Sequence, residues 1–185
     1  PHFNYHPRAY DPEVGAFEAI DIACECCGRA RGWNYGGNIY SRHDVDNVCP
    51  WCIADGSVHR QYGASFCQDI EGVSGPADAK ATDIPPEVID EVLHRTPGYV
   101  SWQGAIWKTH CGDVGEFHGD ISQDDLATLS PEAEALFRQE NRWALPDDDS
   151  LQEFARHRYV PKGYMGIYKF VCRHCGIVRL HVDLS

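Results

Sequence analysis

The chain has 185 residues, with 16 Lys+Arg against 28 Asp+Glu and a formal net charge of −12. Its length allows one medium domain or two small ones, and 43% hydrophobic residues with five Trp, nine Tyr and seven Phe exclude a wholly disordered chain. No apolar run approaches the ~18–20 residues of a membrane helix, and a net negative charge without a Lys/Arg-rich run disfavours nucleic acid as a partner.

The opening Pro1-His2-Phe3-Asn4-Tyr5-His6 is polar and carries no signal-peptide core, so the expected location is cytoplasmic. An odd count of nine cysteines in such a chain argues for metal rather than a disulfide framework. Cys24-Glu25-Cys26-Cys27-Gly28 comes first, and Cys49-Pro50-Trp51-Cys52 follows. Two sulfurs three residues apart can grip one zinc ion from a tight turn, and four thiolates complete a tetrahedron. Cys24, Cys27, Cys49 and Cys52 are therefore the first predicted zinc site. Cys26 is read as a spare thiol. Between the pairs, Trp33 to Tyr40 reads as two short strands around Gly36-Gly37. Pro50 suits the first turn of a helix running on to Tyr62. Turn, hairpin and a Cys-x-x-Cys at a helix start make a treble-clef-like unit. Thioredoxin-like redox chemistry at Cys49 and Cys52 is disfavoured, because the preceding Arg42 to Asn47 is polar rather than a buried strand.

The Gly/Pro/Asp-rich stretch from Gly72 to Asp78 looks like a boundary. The expected division is a zinc-binding unit over 1–72, a linker over 73–84 and an α+β unit over 85–185. Pro85 to His94 reads as a helix with Val88, Ile89, Val92 and Leu93 on one face, stopped by Thr96-Pro97-Gly98. Tyr99 to Cys111 reads as strands or loop. Ser122 and Ser130-Pro131 mark two helix starts, and Asp147-Asp148-Asp149-Ser150 a third. Tyr164–Cys172 and Ile177–Leu184 read as a hairpin closed by Cys172-Arg173-His174-Cys175-Gly176. This zinc-knuckle-like turn predicts a second metal site from Cys172, Cys175 and Cys111, with His110 or His118 as the fourth ligand. The whole is α+β.

Trp102, Gln103, Trp107, His110 and Asp113 form the densest mix of aromatic and polar groups, and the sequence offers them as a pocket for a peptide or small ligand. An enzyme using Cys111 with a histidine is the rival reading, disfavoured because neighbours on an extended chain point to opposite faces. No P-loop, GxGxxG, HExxH or GxSxG motif occurs.

The strings Trp33-Asn34-Tyr35, Val48-Cys49-Pro50-Trp51-Cys52-Ile53-Ala54-Asp55-Gly56-Ser57, Arg95-Thr96-Pro97-Gly98-Tyr99, Trp102-Gln103, His110-Cys111-Gly112-Asp113 and Cys172-Arg173-His174-Cys175-Gly176 together resemble the CbrC family over nearly the whole chain. That resemblance implies a bacterial cytosolic protein with a role in tolerance of DNase colicins. It also implies that some relatives carry a cysteine after the His-Cys-Gly-Asp string, where Val114 and Gly115 stand here. The functional expectation is a zinc-stabilised acidic protein, not an enzyme, that binds another protein. A basic nuclease toxin is the implied partner, met by loop acids such as Asp44, Asp46, Asp69, Glu71, Asp147, Asp148 and Asp149.

Overall fold

The computed structural model describes residues 1–73, 83–144 and 150–185. The fold is mixed α+β. The N-terminal third contains two short strands, β1 (Phe17–Glu18) and β2 (Asn34–Tyr35), two short helices, α1 (Pro50–Ala54) and α2 (Ser57–Tyr62), and then strand β3 (Asp69–Ile70). Helix α3 (Pro86–Arg95) follows, and then β4 (Ile106–Trp107), β5 (Thr109–His110), β6 (Asp113–Val114) and β7 (Glu116–Asp120). Three helices, α4 (Gln123–Ala127), α5 (Pro131–Glu140) and α6 (Leu151–His157), precede the closing strands β8 (Met165–Val171) and β9 (Val178–Leu184). Among the described residues no helix is long and apolar enough to cross a membrane.

The main sheet is antiparallel in the order β7-β8-β9, with β8 in the centre. Successive side chains on a strand face opposite ways. On β8 this sends Ile167 into one core and Tyr168 and Phe170 into another. The Ile167 side is covered by Leu126 of α4, Leu151 and Phe154 of α6, and Leu180 and Val182 of β9. The opposite side is an aromatic core of Tyr99, Trp107, Phe117, Tyr168 and Phe170. Tyr5 and Cys67, from the first third of the chain, lie in that same core. A third cluster, with Phe3, Phe17, Tyr35, Val48, Ile53 and Phe66, surrounds the first cysteines.

Two expected elements differ. The Trp33–Tyr40 hairpin is absent: β2 pairs instead with β1, and Tyr40 bridges Ser65. A two-residue hairpin loop favours positive φ at its centre, and neither Gly36 nor Gly37 has it. Gly37 is small for another reason, because a Cβ there would meet the Tyr35 hydroxyl at 2.5 Å. The helix expected up to Tyr62 is two helices, broken at Gly56 in a left-handed conformation (φ +75°). The serines act as read: Ser122, Ser130 and Ser150 each accept a hydrogen bond from the amide three residues on, capping α4, α5 and α6. Asp147, Asp148 and Asp149, and most of the expected linker, lie outside the described residues.

Two candidate metal centres

The two Cys-x-x-Cys-Gly turns are built alike. The Gly28 amide donates to Cys24 O at 2.7 Å, and the Gly176 amide donates to Cys172 O at 3.0 Å. Both glycines are left-handed, at φ +69° and +75°, a conformation that costs any residue with a Cβ. The Cys24 amide donates to Arg29 O, and the Cys172 amide donates to Ile177 O, five residues on in each case. In the second turn the amides of His174 and Cys175 donate to the leading sulfur, Cys172; in the first the Arg29 amide donates to Cys27.

The first turn meets the start of α1. The Cys49 amide donates to Cys24 Sγ at 3.3 Å, and Cys27 Sγ lies 3.9 Å from Cys49 Sγ. Glu25 fixes the approach: its carboxylate accepts from the amides of Asp46 and Asn47, and its own amide donates to Asn47 O. The four sulfurs of Cys24, Cys27, Cys49 and Cys52 all lie within 4.8 Å of one another. A tetrahedral ion with bonds of about 2.3 Å to sulfur sets its ligands roughly 3.8 Å apart, so the set fits a metal ion. Cys24, Cys49 and Cys52 are buried. Burial pushes the Cys52 thiol up, whereas at Cys27 burial is outweighed by hydrogen bonds from the Arg29 amide and the neighbouring thiols, which bring it down to about 7. Cys26 Sγ donates instead to Gln61 Oε1 at 3.3 Å.

The second set joins two hairpins. β5 and β6 pair through a two-residue loop, Cys111-Gly112, with positive φ at both positions (+54° and +69°). That geometry matches the twist of the strands it joins, and it breaks the alternation of an extended chain. His110 and Cys111 therefore converge, with His110 Nδ1 3.1 Å from Cys111 Sγ, contrary to the expectation that they point apart. Cys175 Sγ lies 3.3 Å from the same nitrogen and 3.8 Å from Cys111 Sγ. His110, Cys111, Cys172 and Cys175 offer ligand atoms within 4.8 Å of one another. His110, not His118, completes the group; His118 lies on β7, 3.4 Å from the Glu116 carboxylate. At Cys172 burial is outweighed by the amides of Cys175 and His174, and the thiol falls to about 6. Cys111 and Cys175 are exposed, so this centre is wetter than the first.

The five residues offered as a ligand pocket are dispersed. Trp107 is fully buried in the aromatic core, Trp102 is exposed, and His110 belongs to the second cluster. Asp113 accepts from Tyr5 Oη at 3.0 Å and pairs with His174 at 2.9 Å. Gln103 ties its loop to β9, its amide donating to Asp183 Oδ2 and its side chain to Leu184 O. Among the loop acids, Asp44 and Asp46 are exposed, while Asp69 accepts from the Ile70 amide. Glu71 is not free: it shares Arg179 and Lys108 with Glu140 in a partly buried ionic cluster. Burial would raise its carboxyl, but the two cations and the Thr109 amide hold it below the usual range. The pull on Glu71 comes from residues about 37 and 108 positions away, which no local pattern displays.

Fold and sites thus define a mixed α+β protein with two four-residue Cys/His clusters able to hold metal ions. The profile of the Uncharacterised protein family (UPF0167) matches residues 1–184, and the chain belongs to that family. It is 38% identical to the UPF0167 protein PA1536 of Pseudomonas aeruginosa over all of this chain and 96% of the relative. It is 33% identical to the UPF0167 proteins Mb2317 of Mycobacterium bovis and MT2352 of Mycobacterium tuberculosis, over all of this chain and 94% of each relative. No solved structure matches it.

Proposed function

We propose that the protein is a zinc-stabilised binding protein, not an enzyme, and that its partner is a basic protein. The observation that carries this reading is the closed ligand count: each cluster supplies four protein ligands. Structural zinc takes four ligands from the protein, whereas catalytic zinc keeps one position for water or substrate. Thiolate-rich sets suit zinc over the hard cations, which prefer oxygen. In this reading the first cluster is a treble-clef-like site and the second a knuckle closed by a hairpin turn. The twin Cys-x-x-Cys-Gly turns support both.

The net charge of −12 supports the choice of partner, because an acidic protein captures a basic one by complementary fields. The sharper version, tolerance of a DNase colicin, rests on the resemblance to CbrC proteins and works in the cytoplasm by covering the toxin's DNA-binding surface. A pull-down with a catalytically inactive colicin-type DNase domain tests it. The expected result is a complex at micromolar protein that weakens as salt is raised. Absence of a complex at low salt contradicts the toxin version.

A further inference from the structure

A cleft of about 350 Å³ opens between residues 13–15, the 99–102 loop, strands β7 and β8, and residues 162–163. Its walls are aromatic: Tyr99, Phe117 and Tyr168 inside, and Trp102, 65% exposed, at the mouth. Tyr99 stacks on Phe117 at 4.3 Å between centroids, and Tyr168 lies 5.0 Å from Tyr99. The Tyr99 hydroxyl is already used, donating to Ile106 O and accepting from the Ile106 amide. Val100, also on the cleft, and Val160 and Tyr164, flanking residues 162–163, are exposed as well. Trp102 and Val100, exposed and apolar on the cleft itself, are the kind of surface that marks an interaction site.

One carboxylate enters this apolar space. Asp120 lines the cleft, and its Oδ1 is buried without a hydrogen-bond partner. Its placement depends on a defect in the sheet. The pairing of β7 with β8 shifts register between Phe117 and Asp120, with Gly119 between them at φ +93°. On a regular strand, positions 117 and 120 face opposite sides. The irregularity re-aims the chain, as bulges do beside binding sites, and both residues reach the cleft. Side chains would crowd two of its edges: a Cβ at Gly119 would meet Val14 at 2.7 Å, and one at Gly166 would meet the Tyr168 hydroxyl at 2.8 Å. Lys162 is bonded to Glu13 at the exposed rim. Its charge also reaches Asp120, but burial outweighs both Lys162 and a hydrogen bond from the Ile167 amide and raises the Asp120 acid, so the carboxylate is under-compensated where it sits.

We infer that this cleft binds a small organic amine, its ammonium held between the Asp120 carboxylate and the aromatic faces and its apolar body filling the space beside Phe117 and Tyr168. A buried carboxylate oxygen without a donor is costly, and a ligand ammonium supplies the donor. Aromatic faces attract the same cation, and an apolar cleft with one placed polar group is the usual form of a small-molecule site. The inference is independent of the protein partner proposed above.

Isothermal titration calorimetry of the full chain with phenethylamine at neutral pH tests it, with phenethyl alcohol as the uncharged match. The expected result is saturable binding of the amine, at least about tenfold tighter than the alcohol, as one charge-assisted contact requires. Asp120→Asn should weaken the amine by at least about tenfold while leaving the alcohol unchanged. Trp102→Ala, at an exposed position, should weaken both. Equal binding of amine and alcohol, no saturable heat from the amine, or an Asp120→Asn protein that binds it like the parent overturns the inference. Should Asp120→Asn fail to fold, the amine–alcohol contrast in the unaltered protein still decides.

Discussion

Cys49 and Cys67 are equally buried, at 1% and 2% exposure, but sit in different company. Cys49 lies among three other thiols. Cys67 packs in the aromatic core, where burial, with the charge of Asp69 adding to it, pushes its thiol up to about 12. Cys49→Ser is expected to lower bound metal by one ion per chain and to destabilise the fold severely, because metal binding and folding are coupled. Cys67→Ser should keep full metal content and cost about 1–3 kcal/mol for a buried hydroxyl. Metal analysis alongside thermal melts separates the two, and equal small effects would contradict a structural first site. His6 makes a second residue-scale prediction. It is fully buried, its Nδ1–H donates to Pro97 O at 3.0 Å, and burial lowers its pKa to about 4. The unfolded chain takes up this proton below about pH 6.5 and the folded chain only near pH 4, so the contribution is present above pH 6.5 and lost as pH falls through that window. Stability measured from pH 7 to 4 should fall more gently in His6→Asn, by up to one proton's worth of slope. At this scale the cysteine pairs were legible from spacing alone. Spacing also offers His110 beside Cys111 as a ligand but does not choose it over His118, because on an extended chain adjacent residues point apart and Cys111-Gly112 has no Asn or Asp to mark the two-residue turn that brings them together.

Among the elements, those written in local chemistry were readable. Ser130 followed by Pro131 starts α5, and the Ser130 hydroxyl accepts from the Ala133 amide at 3.2 Å. Ser130→Ala is expected to lower stability by about 1 kcal/mol without changing metal content, measured by denaturant titration; a loss of metal would mean that α5 supports the second centre directly. The β8–β9 hairpin was legible because Val178, Leu180, Val182 and Leu184 alternate with Arg179, His181 and Asp183. The short strands were not. β1 pairs with β2 and β3 runs parallel to β4, joining segments whose two-residue lengths carry no period. Their partners are chosen by tertiary packing, which overrides so short a pattern. The bulge that delivers Asp120 is hidden for the same reason: Gly119 marks a flexible point but does not say which partner strand slips.

Across the whole molecule, the two clusters tie distant parts of the chain. The first links positions 24–27 to 49–52, and the second links the 110–111 turn to the 172–175 turn, more than 60 residues away. Closing such loops costs chain entropy, which a metal ion held by each cluster would offset. Between them the aromatic core draws Tyr5 and Cys67 together with Trp107, Phe117 and Phe170. Composition announced that a core was affordable in residues, and spacing announced that metal could pin it; which aromatic meets which was decided by the sheet. Native mass spectrometry of the protein, purified without chelator, tests the account most directly. The predicted result is a chain carrying two zinc ions, one per cluster, that loses its compact charge-state distribution when a strong chelator removes them. A chain that stays compact and binds no metal would contradict it.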